Sequence, residues 1–156
     1  NLKEYGKALT LFEEVVSKAP GRFAAPARYE MGWCFYQMGK RERAVENFQQ
    51  YLSQYPDSEI APDILFWFAE YYERQKAYDR SEKYLATLTE KFPQNPLADE
   101  ALFRWSGIAL EKKSYDKAIE RLDQLFARYP HSPLAGEALL RKSELLVLSG
   151  KGTEGR

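Results

Sequence analysis

Side chains able to do covalent or proton-transfer chemistry are few in this chain, and none has the company that catalysis requires. The sole histidine, His131, follows a Tyr-Pro pair at a position that Asp57 and Gln94 fill in matching segments. A turn position that accepts such different residues is a solvated one and not a poised base. The sole cysteine, Cys34, lies between Trp33 and Phe35 and has no second thiol to pair with. Apolar surroundings favour the protonated thiol, so it reads as a small buried residue. Carboxylates are plentiful, and Glu70 and Glu73 share one helical face. On amphipathic helices such groups face water and pair with a cation one turn on, as Glu70 can with Arg74. There is no glycine-rich phosphate loop, no metal-ligand spacing, and no serine or cysteine accompanied by a base. The expectation is a protein with no catalytic residue, no metal and no cofactor, whose function lies on a surface.

The elements that would build that surface recur at a fixed period. Ala8, Phe12, Pro20; Ala44, Phe48, Pro56; Ser81, Leu85, Pro93; and Ala118, Leu122, Pro130 form four similar blocks spaced by 36, 37 and 37 residues. A period in that range marks one helical supersecondary unit copied along the chain, each copy burying its apolar face against its neighbour. Each period reads as two helices. From Tyr115 to Phe126 apolar residues fall at i, i+3, i+4, i+7, i+10 and i+11, a single buried stripe. The small residues Ala8, Ala44, Ser81 and Ala118 let two backbones approach, and the larger residue four positions on fills the adjoining groove.

Each second helix stops at an aromatic-proline pair, Tyr55-Pro56, Phe92-Pro93 or Tyr129-Pro130. Two residues later Ser58, Asn95 and Ser132 can accept free amides as N-caps, with Pro96 and Pro133 at the first helical position. Opening helices are therefore expected over about 59–75, 96–112 and 133–149, with an uncapped one near 23–38 after Pro20-Gly21-Arg22. Turns into the second helices fall at Gly39-Lys40, Lys76-Ala77, Lys113-Ser114 and Gly150-Lys151. The organisation is all-α, a single array over 1–156: a truncated repeat over 1–20, full repeats over 23–56, 59–93 and 96–130, a terminal first-type helix over 133–149, and a tail over 150–156. Lys142 falls in the column of Met31, Phe68 and Trp105, where a lysine implies a wet neighbour and a capping role for this helix. Leu145 to Leu148 are apolar nearly all round and call for another surface. The two signals oppose each other.

Composition narrows the partners. Of 156 residues, 44% are hydrophobic, 29% charged and 15% aromatic, and 23 basic residues balance 23 acidic ones. Zero net charge gives no long-range attraction to phosphate backbones or anionic membranes, which argues against nucleic acid. No apolar run approaches the roughly 20 residues that a membrane span needs.

These columns resemble the tetratricopeptide repeat. Taking Pro56, Pro93 and Pro130 as the family's proline near the repeat end, its small first-helix residue falls on Gly32, Ala69 and Ser106. Its aromatic three positions on falls on Phe35 and Tyr72, with Ala109 a departure in the third pair. Its second-helix alanine falls on Ala44, Ser81 and Ala118, and the aromatic four positions later on Phe48, then Leu85 and Leu122. The resemblance implies a right-handed α-solenoid of stacked antiparallel helix pairs acting as a protein–protein interaction scaffold. The loops Tyr55-Pro-Asp-Ser58, Phe92-Pro-Gln-Asn95 and Tyr129-Pro-His-Ser132 are similar to those of a bacterial envelope branch of the family, the Tol-Pal-associated cell-division coordinator and the outer-membrane assembly lipoprotein. That implies a periplasmic or envelope-associated protein, the alternative being cytoplasmic.

In the family the first helix of each pair lines the inner, concave face. Carried over, the face is lined by Tyr29, Phe66 and Phe103; by Trp67 and Arg104; by Trp33, Glu70 and Gly107; and by Tyr36, with Arg74 at the edge. The implied partner is a protein or peptide laying apolar side chains on the rings while Arg104 or Arg74 holds a carboxylate, aromatics and arginines being the residues that dominate association energies. The competing reading is that the rings pack repeat on repeat. Gly107, inside a helix, is either a close-packing point beside Ser106 or a slot for ligand backbone. Self-association through the end helices, by Leu2, Leu9, Leu11 and Leu145 to Leu148, is the alternative function, as is service as an appended domain of a larger protein.

Overall fold

The computed structural model describes residues 1–19 and 21–151; Pro20 and the expected tail beyond Lys151 lie outside the described residues. Among the described residues there are helices and no strands: α1 (Leu2–Lys18), α2 (Ala24–Gln37), α3 (Arg41–Gln54), α4 (Ala61–Arg74), α5 (Tyr78–Lys91), α6 (Ala98–Glu111), α7 (Tyr115–Arg128) and α8 (Ala135–Leu148). The architecture is an all-α helical-repeat solenoid, as expected. It comprises two compact units, Asn1–Ile64 and Leu65–Arg156.

In the first unit α2 packs on both α1 and α3. Trp33 meets Phe48 across the α2–α3 pair, and one turn further from the loop on both helices Tyr29 meets Tyr51. This is the register of an antiparallel hairpin. Ala44, Phe48 and Tyr51 are fully buried. Gly32 is demanded by that packing, because a Cβ there would stand 2.3 Å from the Phe48 ring. In the second unit α4 and α5 are joined by the ring stack Phe68–Tyr84 at 4.6 Å and by a 2.7 Å hydrogen bond from the buried Ser81 hydroxyl to the Ala69 carbonyl. The next pair, α6 and α7, closes around Leu102, Ala109, Ala118, Leu122 and Leu125, a cluster that Ala138 and Leu145 of α8 extend.

The turns that follow the first helices share one device. Gly39, Lys76, Lys113 and Gly150 all take positive φ, 74°, 57°, 57° and 75°. In the α6–α7 turn the Ser114 amide donates to the Ala109 carbonyl and the Lys113 amide to that of Leu110, both at 2.8 Å. A left-handed residue that folds the last amides back in this way satisfies the open carbonyls of the helix end.

The opening helices differ from expectation at their starts. They begin at Ala61, Ala98 and Ala135, two residues later than the sequence suggests. Ser58, Asn95 and Ser132 do accept amides, from Ala61 at 3.1 Å, Leu97 at 2.9 Å and Leu134 at 3.2 Å. Their carbonyls also accept from Ala61, Ala98 and Ala135, so a tight i→i+3 turn precedes each helix and Pro96 and Pro133 sit in that turn. The α2 start is uncapped by any side chain, as expected.

Candidate functional site

The first helices of the pairs carry the candidate residues. In the first unit Tyr29, Trp33 and Tyr36 lie along α2, all half-buried. Trp33 is edge-on to Tyr29, Tyr36 and Phe48 at 5.5 to 6.0 Å. These rings pack their own hairpin while keeping an exposed edge.

In the second unit Trp67 of α4 stacks on Tyr71 at 5.1 Å and stays half-buried. Phe66 and Phe103, one repeat apart, each lie beneath an arginine from the following first helix. The Arg104 guanidinium stands 5.1 Å from the Phe66 ring and that of Arg141 3.7 Å from the Phe103 ring. Arrangements of this kind join stacked helices through cation–π contact.

Arg104 is held within the chain. It donates to Glu73 at 2.8 Å and Glu70 at 3.0 Å from the neighbouring helix, and Glu100 lies at 3.7 Å on its own. Glu70 therefore pairs with the cation 34 residues on and not with Arg74 one turn away, which corrects the local pairing expected from spacing. The α4–α6 stacking brings the two side chains together, and a geometry with two charge-assisted bonds outcompetes an exposed i,i+4 pair. Arg74 is exposed and makes no ion pair among the described residues.

At Gly107 the space is taken by this chain's own arginine. A Cβ there would stand 3.3 Å from Arg141 Nη1, which donates to the Phe103 carbonyl at 2.8 Å and the Ser106 hydroxyl at 3.1 Å. The close-packing reading of Gly107 describes this geometry, with the guanidinium as the packed group. A cavity of about 330 Å³ opens beside it, lined by Phe103, Arg104, Gly107 and Arg141 together with Glu73, Glu100, Leu134 and Glu137. Burial pulls Arg141 below its ordinary value, with Glu137, Glu144 and Glu73 opposing from a distance. Arg141 stands in register with Arg104, 37 residues further on, but that register carries no sign that it reaches back to Phe103. The one available signal was that the residues in register with Glu70 and Glu73 are Gly107 and Leu110.

The chemical residues behave plainly. His131 is exposed in its turn. Cys34 is buried, and burial pushes its thiol upward, further from the reactive thiolate. Lys142 donates to Asp123 at 2.6 Å and lies 6.0 Å from the Phe126 ring, so it lies against α7 while its neighbours Leu139, Leu140, Val147 and Leu148 are more than half exposed. No helix among the described residues is long and apolar enough to cross a membrane.

Paired helices in register, small residues facing large ones and a left-handed turn closing each pair define a helical-hairpin repeat protein. The tetratricopeptide repeat family model matches residues 26–58, 63–95 and 100–132, more than half the chain, and the chain belongs to that family. Solved structures with the same fold include the crystal structure of BtubC (BKLC) from P. vanneervenii, at TM-score 0.70 and 13% identity over 96% of this chain and 68% of that one. The crystal structure of MamA protein gives 0.67 at 13% over 97% and 77%, and MamA AMB-1 gives 0.68 at 19% over 97% and 77%. No curated protein matches the chain. Tetratricopeptide repeats are protein–protein interaction scaffolds, and this chain is one by membership.

Proposed function

We propose that the chain is a non-catalytic scaffold, organised as a single array, that binds a partner protein or peptide on the faces of its first helices. In the second unit the binding face is Phe66, Trp67, Glu70 and Arg74 of α4 with Phe103, Arg104 and Gly107 of α6; in the first it is Tyr29, Trp33 and Tyr36 of α2. The observation that carries this reading is the half-exposed state of the rings: Trp67 and Phe103 are large, partly desolvated and already packed on one side, against Tyr71 and Arg141. Anchors of that kind lose little entropy when a partner covers them. Trp67→Ala and Phe103→Ala are expected to weaken partner binding by at least about tenfold, a difference of roughly 1.4 kcal/mol, in protein that still melts cooperatively. Unchanged affinity with a large fall in melting temperature would make these rings packing residues only.

The same reading extends to a bacterial envelope assembly, on the strength of the aromatic-Pro-x-Ser/Asn loops. Those loops also have structural work: the Tyr129 hydroxyl donates to the Pro93 carbonyl at 2.6 Å and that of Tyr51 bonds with Ser58 at 3.0 Å. Fractionation of the tagged protein between periplasm and cytoplasm is the test, a cytoplasmic pool contradicting it. A second reading, self-association, is favoured by the apolar α8 residues, of which Leu140 is 63% and Val147 73% exposed. Light scattering across a concentration series separates the two, since a peptide-binding face requires no dimer.

A further inference from the structure

One cavity of the second unit lies away from the first-helix faces, on the loops between repeats. The α5–α6 and α7–α8 loops are held together there by the Tyr129 hydroxyl, which donates to the Pro93 carbonyl at 2.6 Å, and by the Ser132 hydroxyl, which donates to Asp99 at 2.5 Å. Between them opens a cavity of about 370 Å³, walled by Pro93, Pro96, Pro130 and Pro133 with Tyr129, within the range of about 300–1,000 Å³ usual for ligand pockets. Proline fixes its own φ and has no N–H, so the wall is largely apolar and cannot donate from those four backbone positions. Acceptors along the wall are engaged: the Pro93 carbonyl by Tyr129, and Asp99 by Ser132 and by the Glu100 amide at 2.8 Å. The donors are open. Gln94 and His131, both exposed on the lining, make no hydrogen bond among the described residues, and Arg128 reaches only the Thr89 carbonyl, at 3.5 Å.

An apolar trough whose open groups are donors fits a ligand that offers apolar bodies and acceptors. A proline-rich segment in the polyproline II conformation has that character: its rings are apolar, and its carbonyls make no internal hydrogen bonds. Such segments dock on aromatic-lined grooves. A phosphate-type anion fits less well, because anion nests are built from successive backbone N–H groups, which the prolines remove, and Asp99 adds a negative charge to the lining. We propose that the cavity between the α5–α6 and α7–α8 loops is a docking site for a proline-rich segment of a partner protein, its rings against Pro96 and Pro133 and its carbonyls on Gln94, His131 and Arg128. This site lies outside the first-helix binding face and stands independently of it. The loop over 55–60 holds Asp57 where the later two hold Gln94 and His131, and Glu59 where they hold Pro96 and Pro133. It therefore supplies acceptors and charge in place of donors and rings, and only the later pair of loops carries the chemistry.

The probe is fluorescein-labelled decaproline, titrated by fluorescence anisotropy against the 156-residue chain, with a Gly-Ser peptide of equal length as control. Decaproline is expected to bind at least about tenfold more tightly than the control, to shift the amide resonances of Asn95, Arg128, His131 and Ser132, and to resist competition by inorganic phosphate. The double variant His131→Asp with Pro133→Glu copies the residues of the 55–60 loop. It is expected to melt with the parent and to bind decaproline about tenfold or more weakly. Arg128→Gln, at an exposed position, is expected to weaken binding in the same direction and carries the test if the double variant folds poorly. Trp67→Ala is expected to leave decaproline binding unchanged, since Trp67 does not line the cavity. Decaproline that binds no better than the control, binding that survives the loop variants, or binding lost only in Trp67→Ala would overturn the site. Displacement by phosphate would overturn it in favour of an anion site.

Discussion

Gly32 and Phe48 are matched in size, and the match recurs in altered form along the chain. Where the small position is glycine its opposite is phenylalanine; where it is Ala69 or Ser106, the residue in register is Leu85 or Leu122, and Phe48, Leu85 and Leu122 are all fully buried. Volume taken from one wall is given to the other, as dense packing requires. In the parent chain Gly32→Ala is expected to destabilise, because a Cβ 2.3 Å from the ring forces Phe48 to move, a cost of roughly 1–3 kcal/mol that exceeds the roughly 1 kcal/mol of helix propensity regained. In a Phe48→Leu background the same change is expected to be neutral or stabilising. Denaturant midpoints of the four proteins form a cycle; the same sign in both backgrounds would refute the size match. Both residues stood out in the sequence as repeat positions. That they touch, and that Arg141 reaches Phe103, was not legible, because period identifies equivalent residues but not which equivalents meet across helices. Glu70 illustrates the difference: its spacing pointed to Arg74, and stacking gave it to Arg104.

Turns and inter-helix bridges govern the elements. The 37-residue recurrence placed the turn after each first helix, and the structure finds a left-handed residue in each. Helix starts were less legible: a serine followed two residues later by a helix looks the same from sequence whether it caps directly or closes a tight turn first. Two of the left-handed positions are lysines, whose Cβ is strained there by roughly 1–2 kcal/mol, while Gly39 and Gly150 are free of that strain. Lys113→Gly is expected to raise stability by roughly 0.5–1 kcal/mol, and Lys40→Gly, at φ −86°, to give no such gain; equal effects in urea titrations would dismiss the strain. Lys112 ties this turn to the previous one, donating to Asp79 at 2.7 Å and Glu82 at 2.8 Å. Asp79 is lowered by Lys112, and Lys112 is raised first by Asp79 and then by Glu82. The Asp79 contribution is therefore present above its unfolded value of about 3.9 and fades as pH falls through its lower folded value. The Lys112 contribution is complete below about 10.4 and fades as pH rises through its higher folded value. The melting temperatures of the parent and of Lys112→Met are expected to differ most between these limits and to converge below about pH 4 and in high salt. A gap independent of both pH and salt would assign Lys112 a packing role instead.

At the scale of the whole molecule, a repeat array has no central core, and its stability is a sum over neighbours. Composition and period made this legible: balanced charge, abundant aromatics and a constant spacing all pointed to a stacked scaffold. How burial is shared out among the helices could not be read, since equivalent positions carry equivalent residues whatever lies beside them. Leu102 and Leu139 are in register, yet the first is fully buried and the second 60% exposed. Within the first unit α1 has no buried residue, while α2 buries five. Within the second, α6 buries six and α8 only Ala138 and Leu145. Local opening follows such differences, because helices with few buried contacts separate at little cost. Hydrogen exchange is accordingly expected to be fastest in α1 within the first unit and in α8 within the second, where α6 exchanges much more slowly than α8. The order should persist at low urea, α8 losing protection while α6 keeps it, since opening α8 exposes two buried residues and opening α6 exposes six. Uniform protection in α6, α7 and α8, lost together at one denaturant concentration, would mean that these helices behave as one cooperative core, and the nearest-neighbour description of the array would fail.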